Sequence, residues 1–86
     1  MADYRIDFAR SARKQLESLP DAIATRVLAR IEALVRTPRP NGCRKLVGSD
    51  NLWRIRIGDY RVIYSIDDTR QVVDVNAVRH RREAYE

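Results

Sequence analysis

The stretch Leu-Trp-Arg-Ile-Arg-Ile-Gly-Asp-Tyr-Arg-Val-Ile-Tyr-Ser-Ile, residues 52–66, constrains this chain more than any other. Apolar and basic residues alternate up to Ile57, Gly-Asp follows, and an apolar-rich run resumes at Tyr60. That pattern predicts a β-hairpin closed by a two-residue primed turn at Gly58-Asp59. The turn then dictates the register: Ile57 opposes Tyr60, Arg56 opposes Arg61, Ile55 Val62, Arg54 Ile63 and Trp53 Tyr64. Side chains alternate faces along a strand and directly opposed residues share one. Trp53, Ile55, Ile57, Tyr60, Val62, Tyr64 and Ile66 therefore fall on a core face, and Arg54, Arg56 and Arg61 on the other.

Like charges set opposite one another on neighbouring strands cost on the order of 0.2–1 kcal/mol per pair, so placing Arg56 against Arg61 calls for an anion nearby. Two readings stay open at this point. The arginines splay into water or pair with distant carboxylates on an ordinary solvated face, or they form a site for a polyanion. The charge balance bears on the choice: the 86 residues carry 17 Lys plus Arg against 12 Asp plus Glu, a net charge of +5. Fifteen of those cations are arginine. Arginine presents a planar fork of donors that matches phosphate and stacks on bases, and it keeps its charge at any ordinary pH. A nucleic acid or an acidic protein fits this balance better than a neutral small molecule.

A chain of this length is expected to make one small domain over residues 1–86, with one core. Residues 4–8 alternate, with Tyr4, Ile6 and Phe8 facing inward, and predict a strand. Residues 9–19 repeat Ala12, Leu16 and Leu19 at helical spacing. Pro20 interrupts, and a second helix is expected over 20–35 with the stripe Ile23, Val27, Leu28, Ile31, Leu34 and Val35. The junction permits only an antiparallel helical hairpin. Its outward Arg26 and Arg30 read as ordinary solvated residues. Pro38 and Pro40 open a loop over 37–42. A brief strand is expected at 45–47, a turn at 48–51, another at 67–70, and a further strand at 71–78. That last strand should set Val73, Val75 and Ala77 on one face and Val72, Asp74, Asn76 and Val78 on the other. The expected class is α+β: an N-terminal strand, then a two-helix hairpin packed on one face of a mainly antiparallel sheet of four to five strands. A short C-terminal tail or helix turn follows.

The lone Cys43 cannot form an intramolecular disulfide, and no His/Cys cluster has metal-ligand spacing, so neither a metal nor another cofactor is expected. With no leader and no apolar run of membrane-spanning length, the chain is expected in the cytoplasm, away from membranes. The tail, 79–86, packs His80, Arg81 and Tyr85 just beyond a strand of the sheet that bears the arginines. A frayed terminus of solvated charges is the default for such a segment. Its composition gives it an equal claim to a binding or catalytic role.

The order strand, two helices, Pro-rich loop, Lys-Leu, then Trp-Arg-Ile-Arg, Gly-Asp-Tyr-Arg-Val-Ile-Tyr and a terminal His-Arg-Arg-Glu-Ala-Tyr resembles the RelE toxins of bacterial and archaeal toxin–antitoxin pairs. The resemblance runs over essentially the whole chain. It implies a RelE/ParE-superfamily fold and, in that family's best-known branch, cleavage of messenger RNA in the ribosomal A site, held in check by a cognate antitoxin. Carried over by position, the family's basic residues on the first hairpin strand fall at Arg54 and Arg56. The arginine after the turn falls at Arg61, and the terminal pair at Arg81 and Tyr85. Some members have lysine where this chain has Arg54 and Arg56. A guanidinium pKa above about 12 makes arginine a poor general base.

Metal-independent RNA cleavage requires in-line attack of the 2′-hydroxyl on the adjacent phosphorus, with charge building on the phosphoryl oxygens and the departing 5′-oxygen. Arg61 and Arg81 are the expected clamp on the scissile phosphate. Arg54 and Arg56 are expected to hold neighbouring phosphates and to stabilise the charge that develops, with Lys45 as a further RNA-binding residue. His80, the one side chain with an unperturbed pKa near neutrality, is the expected proton carrier. Tyr85 is expected to stack on a base or orient the 2′-hydroxyl. The partners implied are ribosome, mRNA and an acidic, partly disordered or DNA-binding antitoxin. Two other readings compete: a ParE-like toxin that inhibits DNA gyrase by binding, and a plain nucleic-acid-binding module.

Overall fold

Alternation in the hairpin and in the strand after it builds the sheet, and the helices close over its apolar face. The computed structural model describes residues 3–83. In chain order the elements are β1 (Arg5–Phe8), α1 (Arg10–Glu17), α2 (Asp21–Ala33), β2 (Arg44–Lys45), β3 (Leu52–Ile57), β4 (Tyr60–Asp67) and β5 (Val72–His80), followed by a 3₁₀ turn, Arg81–Glu83. The five strands lie in the order β1-β5-β4-β3-β2. β1 runs parallel to β5, and the other pairings are antiparallel. The expected α+β architecture is thus the one observed.

The hairpin register is the predicted one at every position, from Ile57 opposite Tyr60 to Trp53 opposite Tyr64. Gly58 turns at φ +59 while Asp59 keeps a negative φ. Glycine at the first central position is the pattern of a type II′ turn, whose twist suits the flanking strands. Ile55, Ile57, Val62, Tyr64 and Ile66 are buried against Ala12, Val27, Ile31 and Leu34 of the helical layer. Each such side chain contributes roughly 1.5–3 kcal/mol through apolar area removed from water. Trp53 and Tyr60 share the face and are half-buried at its margin.

Both helices are shorter than their apolar spacing suggests. The Leu19 N–H donates to the Leu16 carbonyl, and the Leu34 and Val35 N–H groups to Ile31 and Glu32, each three residues back. The last turns tighten and leave the α-helical path before Pro20 and Pro38. In α1, Arg, Ala, Lys, Gln, Leu and Glu are all strong helix formers. Asp21 in the first turn of α2 suits the positive end of the helix dipole.

β5 departs from the expected facing. Ile63 pairs with Ala77 but Tyr64 pairs with Val75, so Asn76 is an extra residue in a β-bulge. Side-chain parity flips there. Val78, expected outward, is buried opposite Val62, and Ala77, expected on the Val73 face, lies on the arginine side opposite Ile63. Val78 lies past the end of β1, where its N–H would lack a strand partner. Gln15 of α1 accepts it through Oε1 at 2.8 Å. β2 is also displaced by one residue from the expected 45–47: Leu46 turns to donate to the Leu52 carbonyl, and Val47 is fully exposed.

The Pro-rich loop is pinned from two sides. Tyr64 is completely buried and donates its hydroxyl to the Pro38 carbonyl at 2.7 Å. Arg39 grips Asp68 with two hydrogen bonds of 3.0 and 3.2 Å, and the Tyr4 hydroxyl donates to the same carboxylate at 2.7 Å. The Arg39 guanidinium also lies 5.0 Å from the Trp53 ring centre.

Candidate nucleic-acid interface

Cross-strand register assembles the site. Arg56, Arg61 and Arg79 stand abreast on β3, β4 and β5, because Arg56 pairs with Arg61 and Arg61 with Arg79. One step along the strands, Arg44 pairs with Arg54. Strands are spaced about 4.8 Å apart, so five guanidinium groups crowd one end of a single sheet face. The 3₁₀ turn brings a sixth. The Arg81 N–H donates to the Asp59 carbonyl at 2.7 Å, and its Nε lies 3.8 Å from the Asp59 carboxylate, which docks the start of the tail on the hairpin turn. The result is a hollow of about 270 Å³ lined by Arg56, Gly58, Asp59, Tyr60, Arg61 and Arg81.

Crowding leaves an electrostatic signature on Arg54. Burial first, then the like charges of Arg56, Arg61 and Arg44, pull its guanidinium below the ordinary arginine value. An anion at this end relieves that repulsion, which is the energetic condition for a phosphate site. Acidic groups on the same face gather at the far end, where Asp7 pairs with Asp74 and Arg5 bridges to Asp7 at 3.2 Å.

Of the residues expected in the site, Arg54, Arg56, Arg61 and Arg81 come together. Lys45 does not: it pairs with Trp53 and so takes the core-side parity, its ammonium 5.9 Å from the indole ring centre. Arg44 occupies the place expected for Lys45, a consequence of the one-residue displacement of β2. His80 is also outside the set. It pairs with Tyr60 on the opposite face, its ring edge-on to that tyrosine at 5.1 Å, and its Nδ1 accepts the Arg82 N–H at 3.2 Å. Tyr85 lies outside the described residues. Sequence reasoning missed Arg44 and Arg79. Only the bulge at Asn76 turns Arg79 to the arginine face, and an uninterrupted alternation across residues 72–78 conceals it.

The sequence model of the ParE toxin of type II toxin–antitoxin systems, parDE, matches residues 6–85. The chain is similar to the RelE of an archaeal RelE–RelB complex from Pyrococcus horikoshii, at 34% identity with TM-score 0.82, over 95% of this chain and 99% of that one. It is similar to a chain of the RelBE toxin–antitoxin complex from Mycobacterium tuberculosis, at 30% identity with TM-score 0.79, over 91% of this chain and 98% of that one. A toxin RelE of Mycobacterium tuberculosis is 29% identical over 83 residues, covering 95% of this chain and 86% of the relative.

Proposed function

This chain belongs to the RelE/ParE superfamily of toxins of toxin–antitoxin pairs, and we propose that it is a ribosome-dependent endoribonuclease that cleaves mRNA in the A site and is neutralised by a cognate antitoxin. The observation that carries the reading is the row Arg56–Arg61–Arg79 meeting Arg81 at the hairpin tip. Such crowding of like charge is costly without a polyanion, and scissile RNA supplies one.

In the proposed reaction the 2′-oxygen forms a bond to phosphorus as the bond to the 5′-oxygen breaks, leaving a 2′,3′-cyclic phosphate and a 5′-hydroxyl. The 2′-hydroxyl proton passes to water, and the departing 5′-oxygen takes a proton from water. Arg61 and Arg81 hold the scissile phosphate in the hollow at the tip and stabilise the charge that accumulates on its oxygens. Arg56 and Arg54 hold the flanking phosphates. Preorganised guanidinium groups do this without reorganising during the reaction, which is how electrostatic stabilisation lowers a barrier. Tyr85 is assigned to stacking on a base or orienting the 2′-hydroxyl. The work is done in the cytoplasm, where ribosomes are. Among the described residues no helix is long and apolar enough to cross a membrane.

RelE chains of similar sequence are described in complex with RelB antitoxins, which supports an antitoxin partner here. A second reading, inhibition of DNA gyrase by binding, draws on the match to the ParE family model. Parallel assays separate the two: mRNA cleavage on programmed ribosomes, and gyrase supercoiling. Cleavage without gyrase inhibition is the expected outcome; gyrase inhibition with intact mRNA establishes the second reading instead.

A further inference from the structure

One carboxylate stands among the guanidinium groups of the tip hollow. Asp59 lines it together with Arg56, Arg61 and Arg81. A negative charge there works against phosphate binding, so its presence calls for a use that offsets the repulsion. Turn chemistry accounts for part of it, since Asp suits the tip of a hairpin, but Asn or Ser would suit the turn as well without the charge.

Docking of the tail accounts for little more. The Asp59 main-chain carbonyl accepts the Arg81 N–H at 2.7 Å and fixes the start of the 3₁₀ turn whatever side chain residue 59 carries. The carboxylate lies 3.8 Å from Arg81 Nε, beyond hydrogen-bond reach, and both side chains are exposed. An exposed pair at that separation adds little to stability. The carboxylate therefore stands beside the proposed phosphate clamp and is available for chemistry.

Attack by the 2′-oxygen requires that its proton leave. Arg56, Arg61 and Arg81 are no bases, because a guanidinium keeps its proton at any ordinary pH. Tyr60 turns its ring edge-on to His80, and a phenol is itself protonated at neutral pH. His80 lies on the opposite face. Among the described residues that line the hollow, Asp59 alone brings a carboxylate, which when ionised is purely an acceptor.

We propose that Asp59 is the general base of the cleavage: its carboxylate takes the 2′-hydroxyl proton as the 2′-oxygen bonds to phosphorus and the bond to the 5′-oxygen breaks. The 5′-oxygen takes a proton from water, and Asp59 then releases its own to water. Once Arg81 turns to the phosphate, the carboxylate exchanges a cationic neighbour for an anionic one, and that exchange favours its protonated form. Substrate binding thereby prepares the base. The inference rests on the reading of the tip hollow as the phosphate-cleaving centre.

Single-turnover cleavage of ribosome-bound mRNA by Asp59→Asn and Asp59→Ala, followed against pH and against added acetate, tests the assignment. Asparagine keeps the size of the side chain and the carbonyl that docks Arg81, but it takes up no proton. Its maximal rate is expected to fall roughly 10²-fold or more, the usual contribution of a general base, with the half-maximal concentration unchanged or lower. The wild-type rate should decline on the acid side as the carboxylate protonates, and that limb should be missing from Asp59→Asn. Acetate should speed Asp59→Ala about ten-fold, because the missing side chain leaves room for an external base, and should not help Arg81→Ala. If Asp59→Asn cleaves at the wild-type maximal rate while Arg61→Ala does not, the general base is overturned and the endoribonuclease reading stands. If Asp59→Asn is slow but keeps the acid limb, and acetate rescues nothing, the carboxylate only positions Arg81 and the proposal is likewise overturned. A wild-type protein that leaves ribosome-bound mRNA intact removes both. Should Asp59→Ala fail to fold, the pH profile of Asp59→Asn decides alone.

Discussion

His80 and Arg79 are neighbours in sequence with opposite fates, and the difference is one of facing. His80 is turned to Tyr60 and receives the Arg82 N–H on Nδ1, so it supports the 3₁₀ turn that carries Arg81. His80→Ala is accordingly expected to leave the shape of the pH–rate profile unchanged, even where the rate drops through a displaced turn. A profile that flattens near neutrality would restore His80 as the proton carrier. Asp68 offers a second test at this scale. Hydrogen bonds from Arg39, then from Tyr4, hold its carboxyl below the ordinary value of 3.8. A depressed folded-state pKa means stability that is present above the unfolded value and lost as pH falls through the folded one. Asp68→Asn should therefore melt below the wild type at pH 7, and the gap should close as pH falls through the lowered pKa of the wild-type carboxyl. A gap that persists in acid contradicts this account of the loop clasp.

At the scale of elements, α1 and β5 depend on one another through Gln15. Removing its carbonyl leaves the Val78 N–H without an acceptor in a partly buried position, and a group in that state costs about 1–3 kcal/mol. Urea denaturation of Gln15→Leu should show a loss of that size, and unchanged stability would mean that the bulged strand needs no such support. The hairpin was fully legible in the sequence because two constraints agreed there: strict alternation, and a Gly-Asp turn that allows one register. β5 offered only alternation. Valines on both sides of Asn76 tolerate either facing, so nothing local marks the bulge, and it is fixed by tertiary partners: Val62 on one side, Gln15 on the other. The exchange of Arg44 for Lys45 has the same origin, a strand start displaced by one residue where two adjacent cations look equivalent. Arg54, Arg56 and Arg61 were legible as one cluster because the hairpin register places them together, whereas Arg81 entered by the resemblance alone, its docking on the hairpin turn being a tertiary contact.

Over the whole molecule the exposed sheet face is polarised, arginines at the hairpin-tip end and Asp7 and Asp74 at the other. A polyanion is drawn to the arginine end, which orients it before contact. An acidic antitoxin should bind the same end, covering Arg54, Arg56 and Arg61 or displacing residues 79–86. Protection mapping of the complex checks this, and a complex that leaves both regions accessible contradicts it. The central claim, that arginines at the hairpin tip lower the barrier to RNA cleavage by electrostatics, is tested most directly by single-turnover cleavage on programmed ribosomes with Arg61→Ala and Arg81→Ala. Their stabilisation is expected mainly in the transition state, so the rate should fall by roughly 10²-fold or more at every pH with ribosome binding little changed. Cleavage at the wild-type rate by either variant, with the protein folded and ribosome-bound, contradicts the claim.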